Sequence, residues 1–276
     1  MNSSMINAMV SMGGLQQKLD LLADNIANVN TVGYKRKEAS FEDLLTNAKR
    51  QPEAFNQPGR LSPMNFNQGW GARMTSIQPD LAQGSLQETG SAGDIAIEGN
   101  ALFEVIVNEE GTRAYTRGGA FQLTIAANGD TILATEDGYP VVANLPGGGE
   151  GSIKIPNGYS LRVNPDGSVQ GVKATGETIQ LGSMKLVQAA RPAALTAVAD
   201  NLYAVAEGLN LQDVLRPVDD AAAEGIALRQ GFLEQSNVNL SDEMTELINV
   251  QRAYQLAARA LSSSDTMMGL SNNLRG

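Results

Sequence analysis

Apolar residues mark both ends of the chain at helical spacing. Met5, Ala8, Met12, Leu15, Leu19, Leu22, Ile26 and Val29 follow one another at alternating steps of three and four residues. A mean step of about 3.5 keeps such a series on one side of a helix that supercoils about a partner. Gly13 and Gly14 are the only helix-weakening residues inside it, and no proline interrupts it. Ser3 or Ser4 can cap the first turn, so the pattern predicts a helix from there to about Ala27. Leu240, Met244, Leu247, Tyr254, Ala258, Leu261 and Met268 form a second seam at the far end. Asn239 can cap this helix, with Asp242 three residues on as in a capping box, and the helix should run to about Leu270. Asp242, Glu243 and Glu246 precede Arg252 and Arg259, the order that the helix dipole favours. The two seams predict terminal helices that pair with each other, with everything between them carried as an insert.

Between the seams the pattern changes repeatedly. Asn28, Asn30, Thr31 and Gly33 should end the first helix, because small polar side chains bond their own backbone and glycine takes positive φ. Tyr34-Lys35-Arg36-Lys37 is a short basic run, and Phe41, Leu44 and Leu45 predict one or two helical turns. From Gln51 to Pro79 the chain carries Pro52, Pro58, Pro63 and Pro79 among many Asn, Gln and Gly residues. That composition disfavours both helix and paired strand, and predicts an extended connector that packs through Phe55, Phe66 and Trp70. From Leu81 to about Leu211, short alternating runs at 95–97, 103–107, 123–125, 131–133, 153–155, 168–170 and 184–187 read as strands. Glu110-Gly111, Asn128-Gly129-Asp130, Asp137-Gly138, Asn157-Gly158 and Asp166-Gly167 supply turns, and Gly147 to Gly151 a further loop. Ile226, Leu228 and Phe232 predict one more strand.

The fold class that follows is α+β: N- and C-terminal helices forming a coiled coil, with an inserted, mainly antiparallel β body. The expected division is 1–30 with 240–276 as the terminal coiled-coil domain, 31–80 as an extended connector and 81–239 as the β-rich body.

Composition narrows the function. A chain of 276 residues suits one large domain or two smaller ones, and an aromatic content of 5% favours helices and small sheets over one deep core. The net charge of -10 argues against a nucleic-acid partner. Cysteine and histidine do not occur, which removes disulfides, thiol nucleophiles, Cys/His zinc sites and Ser-His-Asp relays. The first basic residue is Lys18, in an amphipathic N-terminus, so no cleavable secretory signal is expected. No apolar run approaches the roughly 18 residues of a membrane span. The polar face of the first helix carries only Lys18, Asp20 and Asp24 as charges, as expected of a helix covered on more than one side in an assembly.

Little here suits catalysis. Gly147 to Gly151 lacks the Lys-Ser/Thr of a phosphate loop, and no G-x-S-x-G or S-x-x-K spacing occurs. Glu109-Glu110 and Asp219-Asp220 are adjacent pairs that point apart in a strand or turn. No catalytic centre, cofactor or metal is expected. Met5, Met9, Met12, Met244, Met267 and Met268 read as core filler rather than a thioether metal site. Tyr34 to Lys37 reads as a solvated or salt-bridged turn rather than a contact for lipid or nucleic acid.

The run Asp24-Asn25-Ile26-Ala27-Asn28-Val29-Asn30-Thr31-Val32-Gly33-Tyr34-Lys35 resembles the N-terminal signature of the bacterial flagellar rod and hook proteins. Gln230-Gly231-Phe232-Leu233-Glu234-Gln235-Ser236-Asn237-Val238-Asn239-Leu240, then Glu243-Met244 and Gln251-Arg252-Ala253-Tyr254, resembles the same family's C-terminal signature. Between them Gly84-Ser85-Leu86, Thr89-Gly90, Asp94 to Gly99, Tyr115-Thr116-Arg117 and Asn201-Leu202-Tyr203 also match its pattern. Leu102-Phe103 stands where the family usually has a pair of aromatics.

The resemblance implies an axial subunit of the flagellar basal-body rod, most like the distal rod proteins. Such a subunit self-assembles into a hollow helical tube that transmits torque and conducts exported subunits. Its paired terminal helices would line the tube, with the body outside and the connector bracing neighbours. The residues implied at the assembly interface are Met12, Leu15, Leu19, Leu22, Asn25, Ile26, Asn28, Val29, Asn30, Gly33 and Tyr34 near one end. Near the other they are Ser236, Asn237, Val238, Asn239, Met244, Leu247, Gln251, Arg252, Tyr254 and Leu261. The implied partners are further copies of the chain, other flagellar rod and hook proteins and the flagellar export apparatus, with no membrane insertion. The implied location is the basal body, in the periplasmic space or cell-wall zone. Two other readings stay open. A hook or hook-junction subunit of the same superfamily usually carries a larger body. A ligand-binding or cell-wall-acting β module with helical dimerisation arms would need a cleft of converging carboxylates.

Overall fold

The computed structural model describes residues 2–47, 67–108, 111–125, 130–199, 201–206, 208–218, 221 and 224–273. The helices among them are α1 (Asn2–Ala27), the single turn α2 (Leu211–Val214) and α3 (Leu240–Asn273). The strands begin with β1 (Lys37–Asn47), β2 (Asn67–Pro79), β3 (Leu86–Glu88), β4 (Ile95–Glu98), β5 (Leu102–Ile106), β6 (Arg113–Thr116) and β7 (Phe121–Ile125). They continue with β8 (Thr131–Thr135), β9 (Val142–Asn144), β10 (Glu150–Ser152), β11 (Lys154–Ile155), β12 (Tyr159–Val163), β13 (Ser168–Lys173) and β14 (Thr178–Met184). The last are β15 (Leu186–Ala189), β16 (Leu195–Ala199), β17 (Leu202–Val205), β18 (Leu215–Val218), β19 (Ala227–Gln230) and β20 (Phe232–Glu234).

Contacts divide the chain into two compact units. One joins Met1–Ile26, Glu38–Ile77 and Leu240–Gly276, and the other joins Ala27–Lys37 and Gln78–Asn239. In the first, both periodic seams fold as helices, and α1 touches α3 through polar groups. Buried Asn25 donates from Nδ2 to Oε2 of buried Glu243 at 3.2 Å, and Lys18 forms an ion pair with Glu246. Leu21, Leu22 and Val250 are buried in the same unit.

β1 and β2 form a two-stranded sheet, with Thr75 Oγ1 donating to the Ser40 carbonyl at 3.2 Å. This corrects two expectations, the helical turns at Phe41 to Leu45 and the unpaired connector up to Pro79. Residues 37–40 alternate between half-buried and exposed, which is the period of a strand. The prolines that argue against pairing lie ahead of β2, whose only proline is its last residue, Pro79. Pro52, Phe55, Pro58, Pro63 and Phe66 lie outside the described residues, as does the side chain of Trp70.

The second unit is the β body. Its sheets run β10-β9-β14-β13-β12, β11-β8-β7 and β16-β17-β6-β5-β15-β18, with the pairs β19-β4 and β20-β3. Each pairing in them is antiparallel, both in hairpins such as β7-β8 and between distant strands such as β19 and β4. Asp137-Gly138, Asn157-Gly158 and Asp166-Gly167 turn the chain with their glycines at φ 88, 84 and 87. The single strand expected over 226–232 is two, broken where Gly231 takes φ 80.

β5 shows why the body holds together. Phe103, Val105 and their neighbours face one core with Ile95, Ile97, Leu133, Ile153 and Leu228, and Phe103 meets Phe121 edge-on at 5.0 Å. Leu102, one residue away, faces a second core with Tyr115, Val187, Tyr203, Val214 and Leu215. Covered on both faces, β5 reads as a nearly continuous apolar run rather than an alternating one.

The second core holds two phenols away from water. Burial pushes Tyr203 up to about 12, and burial aided by the Glu104 carboxylate does the same to Tyr115, from an ordinary value of 10.0. Between those values the unfolded chain has released these protons while the folded chain keeps them. Stability present below pH 10.0 is therefore lost as the pH rises towards about 12. In urea titrations, Tyr203→Phe should lose stability less steeply than the parent chain across that window. An unchanged slope would contradict this assignment.

Candidate assembly junction

The segments that follow α1 and precede α3 meet inside the second unit around one carboxylate. Glu234, at the end of β20, is 2% exposed. Its Oε1 accepts from Lys35 Nζ at 2.7 Å and from the Gly84 amide at 2.7 Å, and its Oε2 accepts from Arg117 Nε at 2.5 Å. Its backbone carbonyl accepts from the Gly33 amide at 2.8 Å. Lys35 Nζ donates also to the Ala82 carbonyl at 2.7 Å. Arg117 directs the rest of its guanidinium to the carbonyls of Ala101, Ile97 and Gly99, the last two at 3.1 and 2.6 Å. Two buried cations thus face one carboxylate, and four backbone carbonyls take up the remaining N–H groups. Burial lowers the pKa of Lys35, the Arg117 guanidinium lowers it further, and Glu234 opposes both.

Local structure puts each group in place. Gly33 has φ +69, and a Cβ there would lie 2.5 Å from the Gly118 nitrogen, so only glycine lets the chain after α1 press against the segment carrying Arg117. β20 pairs with β3 in the register Glu234↔Leu86, Leu233↔Gln87 and Phe232↔Glu88. That register carries Gly84 alongside, where a Cβ would lie 2.0 Å from the Gln235 carbonyl oxygen. Asn237 closes the far side. Its Oδ1 accepts from the Arg36 amide at 2.7 Å, and its Nδ2 donates to the carbonyls of Asp80 and Ala82 at 2.9 and 3.0 Å. Asn201 Nδ2 donates to the Val32 carbonyl at 3.0 Å.

Of the residues singled out in the sequence, Gly33, Tyr34, Asn237 and Val238 lie in this junction, with Tyr34 and Val238 buried. Asn28 accepts from the Thr31 hydroxyl at 3.0 Å, Val29 is half-buried beside it, and Asn30 is exposed. Ser236 Oγ accepts from the Val238 amide at 3.3 Å, and exposed Asn239 directly precedes α3. On α1, Leu22 and Asn25 are buried, while Met12, Leu15, Leu19 and Ile26 are half-buried. On α3, Leu247, Tyr254 and Leu261 are half-buried, while Met244, Gln251 and Arg252 are exposed. Met9 and Met267 are exposed as well, which corrects their reading as core filler.

Lys35, Arg117, Glu234 and Gly84 do not stand out as a group in the sequence. The basic run reads as a turn, yet Lys35 is one of its buried members. Three charges of unlike sign standing in Gly- and Asn-rich motifs are the available signal. Among the described residues no buried side-chain polar atom lacks a partner, and no group of His, Cys, Asp and Glu suits a metal ion. The junction is a closed clamp. Glu109-Glu110 and Asp219-Asp220 lie outside the described residues.

A second ionic group spans β5, β6 and β10. Arg113 binds Glu104 and Glu150, each at 2.5 Å, and Lys185 reaches Glu150 at 2.6 Å and Glu104 at 3.2 Å. Hydrogen bonds from Lys185 and Arg113 hold the Glu150 carboxyl below the usual range. Glu104 is buried here, but Arg113 and Glu150 are exposed, whereas all three charges of the Glu234 site are buried.

Family comparisons cover both ends and the body. Residues 7–35 match the flagella basal body rod protein family, 96–171 the flagellar hook protein FlgE/F/G D1 domain and 229–274 the flagellar basal body rod FlgEFG protein C-terminal family. The flagellar basal-body rod protein FlgG of Borreliella burgdorferi is 33% identical over 265 residues, 94% of each chain. The chain belongs to the flagellar basal-body rod protein family. FlgG of Bacillus subtilis is 34% identical over 274 residues, 99% of this chain and 98% of that one. The flagellar hook-basal body complex protein FlhP of the same organism is 33% identical over 279 residues, 99% of each. This rod protein is a structural component of the flagellar basal body, as its relatives are. No helix among the described residues is long and apolar enough to cross a membrane.

The junction makes a direct stability prediction. Glu234→Ala strands two buried cations and should cost about 3–5 kcal/mol in urea unfolding. Adding Lys35→Met should recover part of that loss, because one of the stranded charges is gone. A cost below about 1 kcal/mol, the range of an exposed pair, would show that Glu234 does not hold the junction.

Proposed function

We propose that this rod protein is an axial subunit that assembles with further copies of itself into a hollow helical tube, transmits torque and leaves a channel for exported subunits. One observation carries the reading. Leu240, Met244, Ile248, Leu256, Met267 and Leu270 are exposed large apolar residues on a single helix, α3. Apolar surface on this scale marks an interaction site, and neighbouring copies would cover it. The few charges on α1 fit the same picture.

On this reading the terminal helices, 1–30 and 240–276, pair as a coiled coil, 31–80 is a connector and 81–239 is the outer body. The 26 residues of α1 and the 34 of α3 give rods of about 39 and 51 Å, long enough to stack along a tube wall. The interface takes in Met12, Leu15, Leu19, Ile26, Met244, Leu247, Gln251, Arg252, Tyr254 and Leu261. Asn28, Val29, Asn30, Ser236 and Asn239 flank it. The clamp at Glu234 would fix the chain segments that enter and leave the helices. Other rod and hook proteins and the export apparatus are the further partners. Repeated likeness to FlgG chains supports the distal rod as its place.

Two substitutions separate assembly from folding. Met244→Asp and Leu256→Asp alter residues that are exposed in the single chain, so each should leave its stability within about 0.5 kcal/mol. Each should abolish motility and rod assembly in cells. Normal motility with both would remove α3 from the interface. Leu22→Asp, at a buried position of α1, should likewise abolish assembly while the β body still unfolds as a cooperative unit.

A further inference from the structure

The hydrophobic pattern and the structure differ on which side of α3 turns inwards at its start. Spacing alone puts Leu240, Met244 and Leu247 on one inward seam. In the structure Leu240 is 43% and Met244 46% exposed, while Glu243 is 1% exposed. Glu243 instead opens a stripe that continues through Leu247, Val250, Tyr254, Ala257 and Leu261 at steps of four and three. Every member of that stripe is buried or half-buried. One residue along a helix is a turn of about 100°. The start of α3 is thus rotated by about one residue position from the setting that would turn Leu240 and Met244 inwards.

The contacts that hold this setting are polar. Asn25 of α1 is fully buried, and its Nδ2 donates to Oε2 of Glu243 at 3.2 Å. Lys18, seven residues earlier on the same side of α1, pairs with Glu246 and lies 5.8 Å from the centre of the Phe41 ring on β1. Lys18 and Glu246 are both partly in solvent, so the Asn25–Glu243 contact carries more of the weight. Turning Glu243 outwards would take this acceptor from the buried Asn25 amide, and that loss opposes the gain from burying Met244. A polar group at one position of a seam selects one arrangement at some cost in stability.

We propose that the Asn25–Glu243 contact is a rotational lock, which keeps Leu240, Met244 and Ile248 outward where α1 would otherwise cover them. This rests on the rod reading above, in which that face meets neighbouring copies, and adds how the face stays open in a single chain. The same side chains cannot serve both contacts. A chain that buries them against its own α1 is more stable alone and poorer at assembly.

The chain has no native cysteine, so one introduced thiol reports which side of α3 faces out. Gln251→Cys alters an exposed residue seven places after Met244, on the same face, and removes no apolar side chain. Asn249→Cys, also at an exposed position, is the reference. Maleimide modification is timed on the isolated full-length chain, and far-UV circular dichroism follows helix content. Both thiols should react quickly in the parent. With Asn25→Ala and Glu243→Ala together, Gln251→Cys should slow by about tenfold or more, while Asn249→Cys stays fast. Asn25→Glu with Glu243→Asn exchanges the two partners and should keep both fast. No slowing in the alanine pair, or loss of its helices, overturns the lock and leaves the rod reading standing. Slow modification of Gln251→Cys with the partners exchanged also overturns it. Slow modification in the parent itself removes the exposed face that carries the rod reading, and the lock with it.

Discussion

A carboxylate cannot be taken out of water unless cations and N–H groups replace the water, and at Glu234 that requirement ties distant parts of the chain together. Lys35 and Arg117 lie 199 and 117 residues away in sequence, and Gly84 lies 150 away. None of the three can be supplied by the local chain around β20. The site is complete only when the segment after α1, the middle of the body and the segment before α3 have all arrived. Satisfied in full, such a network specifies one arrangement sharply, because each partner left out strands a buried charge. The glycines at 33 and 84 serve the same end, since a side chain at either would hold the backbones apart.

The two units divide the work. The body buries two apolar cores on the faces of one six-stranded sheet. The terminal helices meet through an Asn–Glu hydrogen bond and a Lys–Glu pair, and Leu21, Leu22 and Val250 are their only buried large apolar residues among those described. Helices of this kind depend on what packs against them, and α3 leaves six large apolar residues exposed. Apolar burial is thus concentrated in the body, and exposed apolar surface on α3.

Much of this is legible in the residues themselves. Apolar spacing of three and four, with two steps of seven in the C-terminal seam, gives both helices nearly to the residue, and Asp-Gly and Asn-Gly pairs give the turns of the body. The motifs at each end carry the family. Pairing over long distance is harder to see. β6, β16, β17 and β18 are four or five residues long and mix strand formers with Arg, Ala or Pro, so local preference marks them weakly and pairing with distant strands decides them. The connector reads wrongly because its prolines are averaged over a window that β2 occupies only in part. On α3 the inward face includes Glu243, which receives Asn25, and a hydrophobic pattern cannot show that a carboxylate faces inwards. The same blindness hides Lys35, Arg117 and Glu234, whose burial depends on one another.

Amide hydrogen exchange on the free subunit tests most directly whether the Glu234 clamp holds the chain together. The Gly33 and Gly84 amides donate to the carbonyl and carboxylate of Glu234, in segments with little regular structure of their own. If the clamp holds, both amides exchange only as slowly as the core strand β5, while the amides of α1 and α3 exchange much faster. Exchange of Gly33 and Gly84 at the rate of the terminal helices would mean that the junction opens freely and that Glu234 is not what binds these distant segments to one another.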